Sequence, residues 1–107
     1  MATFDDREKA YENKFAHDQE LAFKATVRRN KLLGLWAAGL MGLQGAAADA
    51  YAKEVVKAEF EEVGDEDVFR KLRRDFDAKG VQQSDHQIRR KMDELQAEAR
   101  AQVAKGE

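Results

Sequence analysis

The 107-residue chain contains neither cysteine nor proline. Without cysteine it can form no disulfide and no thiolate zinc site, and a reducing compartment suits it. Without proline it lacks the commonest helix breaker. Charged residues make up 37% of the sequence, and β-branched residues are few, a composition typical of helices with charged faces. The length is that of one ordinary domain.

A strong charge of one sign is also missing. The formal net charge is −2, which argues against a general nucleic-acid-binding protein. Two basic clusters, Arg28–Lys31 and Arg89–Lys91, have acidic neighbours that would cancel their far field. We interpret both clusters as solvated helix faces.

No apolar run is long enough to span a membrane. The longest, "LLGLWAAGLMGL" at Leu32–Leu43, has about a dozen residues, whereas a bilayer requires roughly 20. It lies too far from the N-terminus, behind too many charges, for a signal peptide. Within it, Gly34, Ala38 and Gly42 recur at every fourth position, which lets a neighbouring helix approach closely. We therefore expect a buried helix at the centre of the core and no insertion into a membrane.

Glycines divide the chain into four predicted helices. The first begins at Thr3 and can run unbroken through the apolar run, and the second is expected near Ala47–Glu62. The predicted stops are Gly42 with Gly45, Gly64 and Gly80. The predicted N-caps are Thr3, Asp65 and Ser84, with Asp6 and Gln87 completing capping boxes for Thr3 and Ser84.

Each predicted helix has one apolar face. The faces comprise Ala25, Leu32, Trp36, Leu40 and Leu43, widened by Leu33, Leu35 and Met41; Ala52, Val56, Phe60 and Val63; Val68, Phe69, Leu72 and Phe76; and Ile88, Met92, Leu95, Ala99 and Val103. Four amphipathic helices joined by short loops predict an all-α fold, a small antiparallel four-helix bundle.

The N-terminal segment carries an aromatic stripe among charges. Wound as a helix, Phe4, Tyr11 and Phe15 fall within roughly 40° of one another, and Ala22 continues the line. This stripe is too narrow to make a core. We interpret the segment as a protruding arm that is disordered when free and becomes helical on a partner. The alternative is that its aromatic residues fold back over the bundle.

The residues for catalysis are missing. The one serine, Ser84, occupies a capping position, and His17 and His86 are far apart in the sequence. His17 lies across the arm helix from the stripe, so we expect it to be exposed. No glycine-rich phosphate loop follows a strand. We therefore expect no enzyme, no metal and no cofactor.

The stretch Phe4–Gly42 resembles the zeta subunit family, the small inhibitor proteins of alphaproteobacterial F-type ATP synthases. The resemblance is carried by "FDDRE", "KFAHD" and "RRNKLLGLWAA", and "GDEDVFRKL" at Gly64–Leu72 extends it. It covers more than a third of the chain nearly residue by residue.

The resemblance implies a division into an inhibitory arm, residues 1–18, and a four-helix bundle, residues 19–107. In that family the arm folds into a helix at an interface between α and β subunits, near the γ subunit of the central rotor, and stops the rotation that drives ATP hydrolysis. The implied partner-binding residues are Phe4, Asp5, Asp6, Arg7, Glu8, Lys9, Tyr11, Lys14, Phe15 and Asp18. Tyr11 lies outside the matching blocks and depends more on the stripe. The implied protein is a cytoplasmic monomer, peripheral on the membrane-bound synthase.

Two other functions fit the same pattern. A helical adaptor could dock its arm on an unrelated receptor with no effect on an enzyme. A nucleotide-binding regulator is favoured only by the basic residues. Sequence alone does not separate an adaptor from an inhibitor, because both need the same amphipathic arm and the same bundle.

Overall fold

Helices account for nearly all of the regular structure. The computed structural model describes residues 3–60 and 64–106, and of residues 3–15 it describes the backbone only. The helices are α1 at Thr3–Leu40, α2 at Gly45–Ala58, α3 at Glu66–Lys79 and α4 at Asp85–Ala104. Within the described ranges no strand occurs. The predicted all-α fold with four helices is therefore confirmed.

Helix α1 is the longest element and packs mainly on α2 and α4, while α3 contacts all three other helices. Its 38 residues correspond to about 57 Å, close to the long dimension of a molecule measuring 66 × 25 × 21 Å. From Ala16 to Lys24 its side chains are exposed except that of Leu21, which is half-buried. The first buried side chain among those described is Ala25. Among the described side chains of α1, the bundle therefore buries those from Ala25 onwards and leaves most of those before it exposed.

The predicted helix ends are mostly confirmed. Gly42, with φ of 80°, ends α1 in a motif in which the Leu43 amide donates to the Ala38 carbonyl at 2.8 Å. Gly80, with φ of 70°, ends α3 in the same way. The capping box predicted at the start of α4 is present in both directions, with distances of 2.8 and 3.0 Å. A side chain at either glycine would strain a left-handed backbone.

The buried face of α1 differs from the predicted one. Leu33, Ala37 and Ala38 are buried, whereas Leu40, predicted to lie in the core, is 41% exposed. Leu32 and Trp36 pack at the edge of the core, Trp36 against the Phe76 ring with centroids 5.7 Å apart. Part of the reason is size: apart from Leu33, the buried apolar residues of α1 are small, so another helix can approach closely, and large residues such as Trp36 flank this face.

The end of α2 also differs. The helix ends at Ala58 rather than near Glu62, and Phe60, predicted to lie in the core, is 61% exposed in the following turn. Because the helix has ended, Phe60 no longer follows the spacing that would bring it to the buried face. Val63 lies outside the described residues. The buried residues of α2 are Tyr51, Ala52, Val55 and Ala58, and the predicted Val56 is half-buried. The α3 face and the Ile88, Met92, Leu95 and Ala99 stripe of α4 are buried as predicted.

Gly34 sets the distance between α1 and α2. A Cβ atom at this position would lie 2.6 Å from the Ala52 Cα and 3.2 Å from both the Ala52 Cβ and a Val55 methyl carbon. The nearest obstacle is backbone, which cannot rotate away. The predicted close approach along the small residues is therefore confirmed at this position.

We expect Gly34→Ala to lower the free energy of unfolding by about 1–3 kcal/mol, because the added methyl forces α1 and α2 apart. Gly39→Ala is the matched control, since a Cβ there meets nothing within 4 Å. This change should raise stability by roughly 0.5–1 kcal/mol through helix propensity. Urea unfolding followed by circular dichroism measures the free energy of unfolding of both variants. An equal increase in stability for the two would contradict the close contact at Gly34.

Candidate partner-binding site

The ten implied partner-binding residues all lie on α1. The side chains of nine, from Phe4 to Phe15, are outside the described part of the structure. Asp18 is exposed. The expected disorder of the free arm and the contacts of its aromatic residues stay predictions. The backbone forms a single helix from Thr3, but the fold-back alternative concerns side chains that lie outside the described part of the structure.

The arm positions are in register with the buried face of α1. Leu33 follows Phe15 by eighteen residues, about five helical turns, so the two positions share one side of the helix. Between Ala25 and Ala37 the bundle covers this side, whereas Leu40, at the end of the helix, is 41% exposed. The stripe therefore continues, beyond the bundle, the line along which α1 already packs on its own neighbours.

Two phenylalanines project where the arm meets the bundle. Phe23 on α1 is 56% exposed and Phe60 after α2 is 61% exposed. Their ring centroids are 6.0 Å apart at an interplanar angle of 42°. Together with Ala22, Val27 and Val56 they line an open groove of about 560 Å³ between the two helices. Sequence reasoning missed this pair, because Phe60 fitted a core spacing and Phe23 fitted none.

A buried arginine, Arg29, lies nearly two turns after Phe23 on α1. Arg29 is 2% exposed and Asn30 is fully buried. Arg29 Nη2 donates to Asp65 Oδ1 at 2.9 Å and to Glu59 Oε2 at 3.3 Å. Arg29 Nε donates to Asn30 Oδ1 at 2.9 Å, and Asn30 Nδ2 donates to Glu59 Oε2 at 3.3 Å. The interpretation of this basic cluster as a solvated face is wrong for these two residues, since a desolvated guanidinium requires such partners.

This network also corrects the predicted role of Asp65. Asp65 does occupy the N-cap position of α3, but its side chain makes no capping hydrogen bond. Its carboxylate instead accepts from Arg29. The network thereby joins α1 to both ends of the α2–α3 connection, and it holds the turn that carries Phe60.

The pKa values of the two carboxylates in the network are shifted in opposite directions. Hydrogen bonding from Arg29 lowers the pKa of Asp65. Burial, followed by the negative charge of Asp65, raises the pKa of Glu59. Glu59 therefore takes up a proton first as the solution becomes acidic, while Asp65 keeps its ion pair with Arg29.

The second basic cluster is solvated as predicted. Arg89 and Arg90 are exposed, and Lys91 is half-buried. Arg89 makes two hydrogen bonds to Glu66, at 3.1 and 3.2 Å, and its guanidinium lies 3.9 Å from the Phe69 ring centroid. This cluster ties α4 to α3 at the surface.

The histidines do not form a site. His17 is exposed, as predicted, and His86 is exposed in the first turn of α4. Among the side chains described, those of residues 16–60 and 64–106, no three histidine, aspartate or glutamate residues come together in an arrangement suited to a metal ion. None of the described helices combines the length and apolar character needed to cross a membrane.

Comparison with known proteins defines the class. The sequence profile of the family described as ATPase inhibitor subunit zeta matches residues 1–102. The chain therefore belongs to this family, whose description is that of an inhibitory subunit of an ATPase.

The fold is also found among solved structures. A protein solved by NMR in solution is 49% identical to the chain and superposes with a TM-score of 0.70, covering 79% of this chain and 96% of its own. Among curated proteins, none matches the chain significantly.

We expect Glu59→Gln to change how stability depends on pH. A carboxyl whose pKa is raised by folding binds its proton more tightly in the folded state. It therefore stabilises the fold at low pH, and this stabilisation is lost as pH rises through the folded pKa. As pH falls from 7 towards the ordinary glutamate range, the unaltered chain should therefore gain stability relative to the variant. Thermal unfolding at several pH values measures this difference.

Asp65→Asn is the matched control with the opposite sign. A carboxylate whose pKa is lowered by folding stabilises the fold at pH values above the ordinary aspartate pKa. This stabilisation is lost as pH falls through the folded pKa. The advantage of the unaltered chain over this variant should therefore shrink on acidification. Parallel curves for both variants would contradict the network described for Arg29.

Proposed function

We propose that this protein inhibits ATP hydrolysis by an F-type ATP synthase through its N-terminal arm, residues 1–18. The family match carries the proposal, because it extends from residue 1 through the bundle and so includes the arm. Following the family, the arm lies at an interface between α and β subunits of the catalytic head, near the γ subunit. The protein acts as a monomer, without a cofactor, and its place is cytoplasmic, on the membrane-bound enzyme.

The architecture of α1 suits an arm that becomes ordered on binding. Starting a helix is costly, whereas extending an existing one adds a hydrogen bond for each residue fixed. The segment from Ala25 to Leu40 is packed in the bundle, so the arm helix can propagate from a preformed base. This lowers the cost of ordering, which for coupled folding and binding is about 2–5 kcal/mol or more.

The aromatic stripe supplies the anchors. Burying an aromatic side chain contributes up to about 3 kcal/mol, so three anchors exceed the ordering cost once a partner covers them. Charged residues between them, such as Lys9 and Lys14, have a smaller part because exposed ion pairs are weak.

We expect Phe4→Ala, Tyr11→Ala and Phe15→Ala each to weaken inhibition by about 2 kcal/mol, or roughly 30-fold, because each removes an anchor from a desolvated crevice. Lys9→Ala is the control on the same helix and should cost less. The measurement is the concentration of protein that halves ATP hydrolysis by the synthase of the same organism. A larger effect of the lysine than of any aromatic residue would contradict anchoring by the stripe.

The chain lacking residues 1–18 provides the negative control. It should unfold cooperatively, since the first described buried side chain is Ala25, and it should not inhibit. If the full chain leaves ATP hydrolysis by the synthase unchanged, the inhibitor function is wrong and the adaptor alternative is favoured.

We further propose that inhibition acts in one direction. The arm can shift the equilibrium between the conformations of a rotating interface only by binding one conformation more tightly than the others. In the hydrolysis direction the interface closes on the arm, whereas rotor torque in the synthesis direction opens it and expels the arm. Hydrolysis should therefore fall strongly and synthesis weakly.

Paired rates in the same membrane vesicles test this direction. ATP hydrolysis and proton-driven ATP synthesis are measured with and without the purified protein, and the chain lacking residues 1–18 is the control in both assays. Equal loss of the two rates would reject the one-way mechanism, even with binding intact.

A further inference from the structure

Within the described part of the chain, Phe23 and Phe60 form a pair of exposed aromatic side chains that contact each other. Among the described residues, the large hydrophobic side chains that remain exposed are Phe23, Leu40 and Phe60, and two of these three are in contact. Exposed apolar groups that are single need no explanation, but adjacent aromatic residues beside a groove indicate a contact surface.

The pair is continuous with the arm. Ala22 continues the line of the aromatic stripe and also lines the groove beside Phe23 and Phe60. Phe23 lies only five residues after Asp18, about 8 Å along the same helix. A protein that encloses the arm up to Asp18 therefore comes within contact distance of this groove.

The position of Phe60 is fixed independently of the arm. The two carboxylates that flank its turn, Glu59 and Asp65, are both bonded to Arg29 inside the bundle. Phe60 thus stands beside Phe23 before any partner arrives, so its contact requires no ordering on binding.

We propose that Phe23 and Phe60 form a second contact with the same partner that receives the arm, by packing against apolar side chains at the rim of its crevice. This inference rests on the proposed function and adds to it a contact made by the bundle. The partner is thereby held at two places, the arm and the preformed Phe23–Phe60 pair.

The size of the pair favours this occupant over a second copy of the chain. A phenylalanine buries about 150–250 Å², so the two rings fall well short of the roughly 1,200 Å² that a stable interface requires. A contact of this size can add to a larger interface but cannot form one alone. The arm beside it provides the larger interface.

The test is Phe60→Ala in the full chain. Phe60 lies outside α1, so the change leaves the helix of the arm unaltered. The concentration that halves ATP hydrolysis should rise about tenfold, as for loss of a buried aromatic contact. Leu40→Ala is the matched control, because Leu40 is also exposed but lies at the opposite end of α1, and it should leave inhibition unchanged.

Phe15→Ala separates failure of this inference from failure of the proposed function. If Phe15→Ala weakens inhibition while Phe60→Ala does not, the second contact is overturned and the function of the arm stands. If the unaltered chain does not inhibit, both are overturned.

Photocrosslinking identifies the occupant directly. With a benzophenone amino acid in place of Phe60, irradiation of the complex should yield a crosslink to an α or β subunit of the synthase. A crosslink to a second copy of this chain, or none to the synthase, would overturn the proposal.

Discussion

One buried guanidinium holds the parts of this molecule in their positions. Arg29 leaves water at a cost that only close carboxylates offset, and it finds them at Glu59 and Asp65, on either side of the α2–α3 connection. The end of α2, the start of α3 and the middle of α1 are thereby fixed to one another. Phe60 takes its place beside Phe23 as a consequence. The network is thus both a stabilising element of the bundle and the support of its exposed aromatic pair.

The close approach of α1 and α2 depends on the small size of the side chains between them, whereas the Arg29 network depends on charge. Gly34 faces the Ala52 backbone so closely that no Cβ fits, and the buried neighbours on this side of α1 are Ala37 and Ala38. Large residues such as Trp36 pack at the edges instead, where Trp36 meets Phe76 edge-on. The close contact at Gly34 thereby joins α1 to α2 within the bundle, while α1 itself extends beyond it.

Local signals in the sequence predict helices and their ends well and tertiary partners poorly. The Ser84 capping box, the Gly80 stop and the α4 stripe depend on residues within one or two turns, and each was correctly predicted. The buried state of Arg29 depends on carboxylates 30 and 36 residues away, which no local pattern contains. Phe60 was misplaced for a related reason, since its spacing suited a helix that ends two residues earlier. The role of the arm came from family resemblance and not from periodicity.

A single side of α1 serves two environments. In the bundle it packs against α2 and α4, and in the arm, five turns before Leu33, the same side carries the aromatic stripe. In the proposed function, the partner packs against this side of the helix along the arm, as α2 and α4 do within the bundle. Near this side the bundle buries Leu33 and the small Ala37, whereas the arm carries aromatic residues, which suit a crevice in another protein that has to be filled. The aromatic pair at Phe23 and Phe60 lies where one environment gives way to the other, which is why the fold leaves it uncovered.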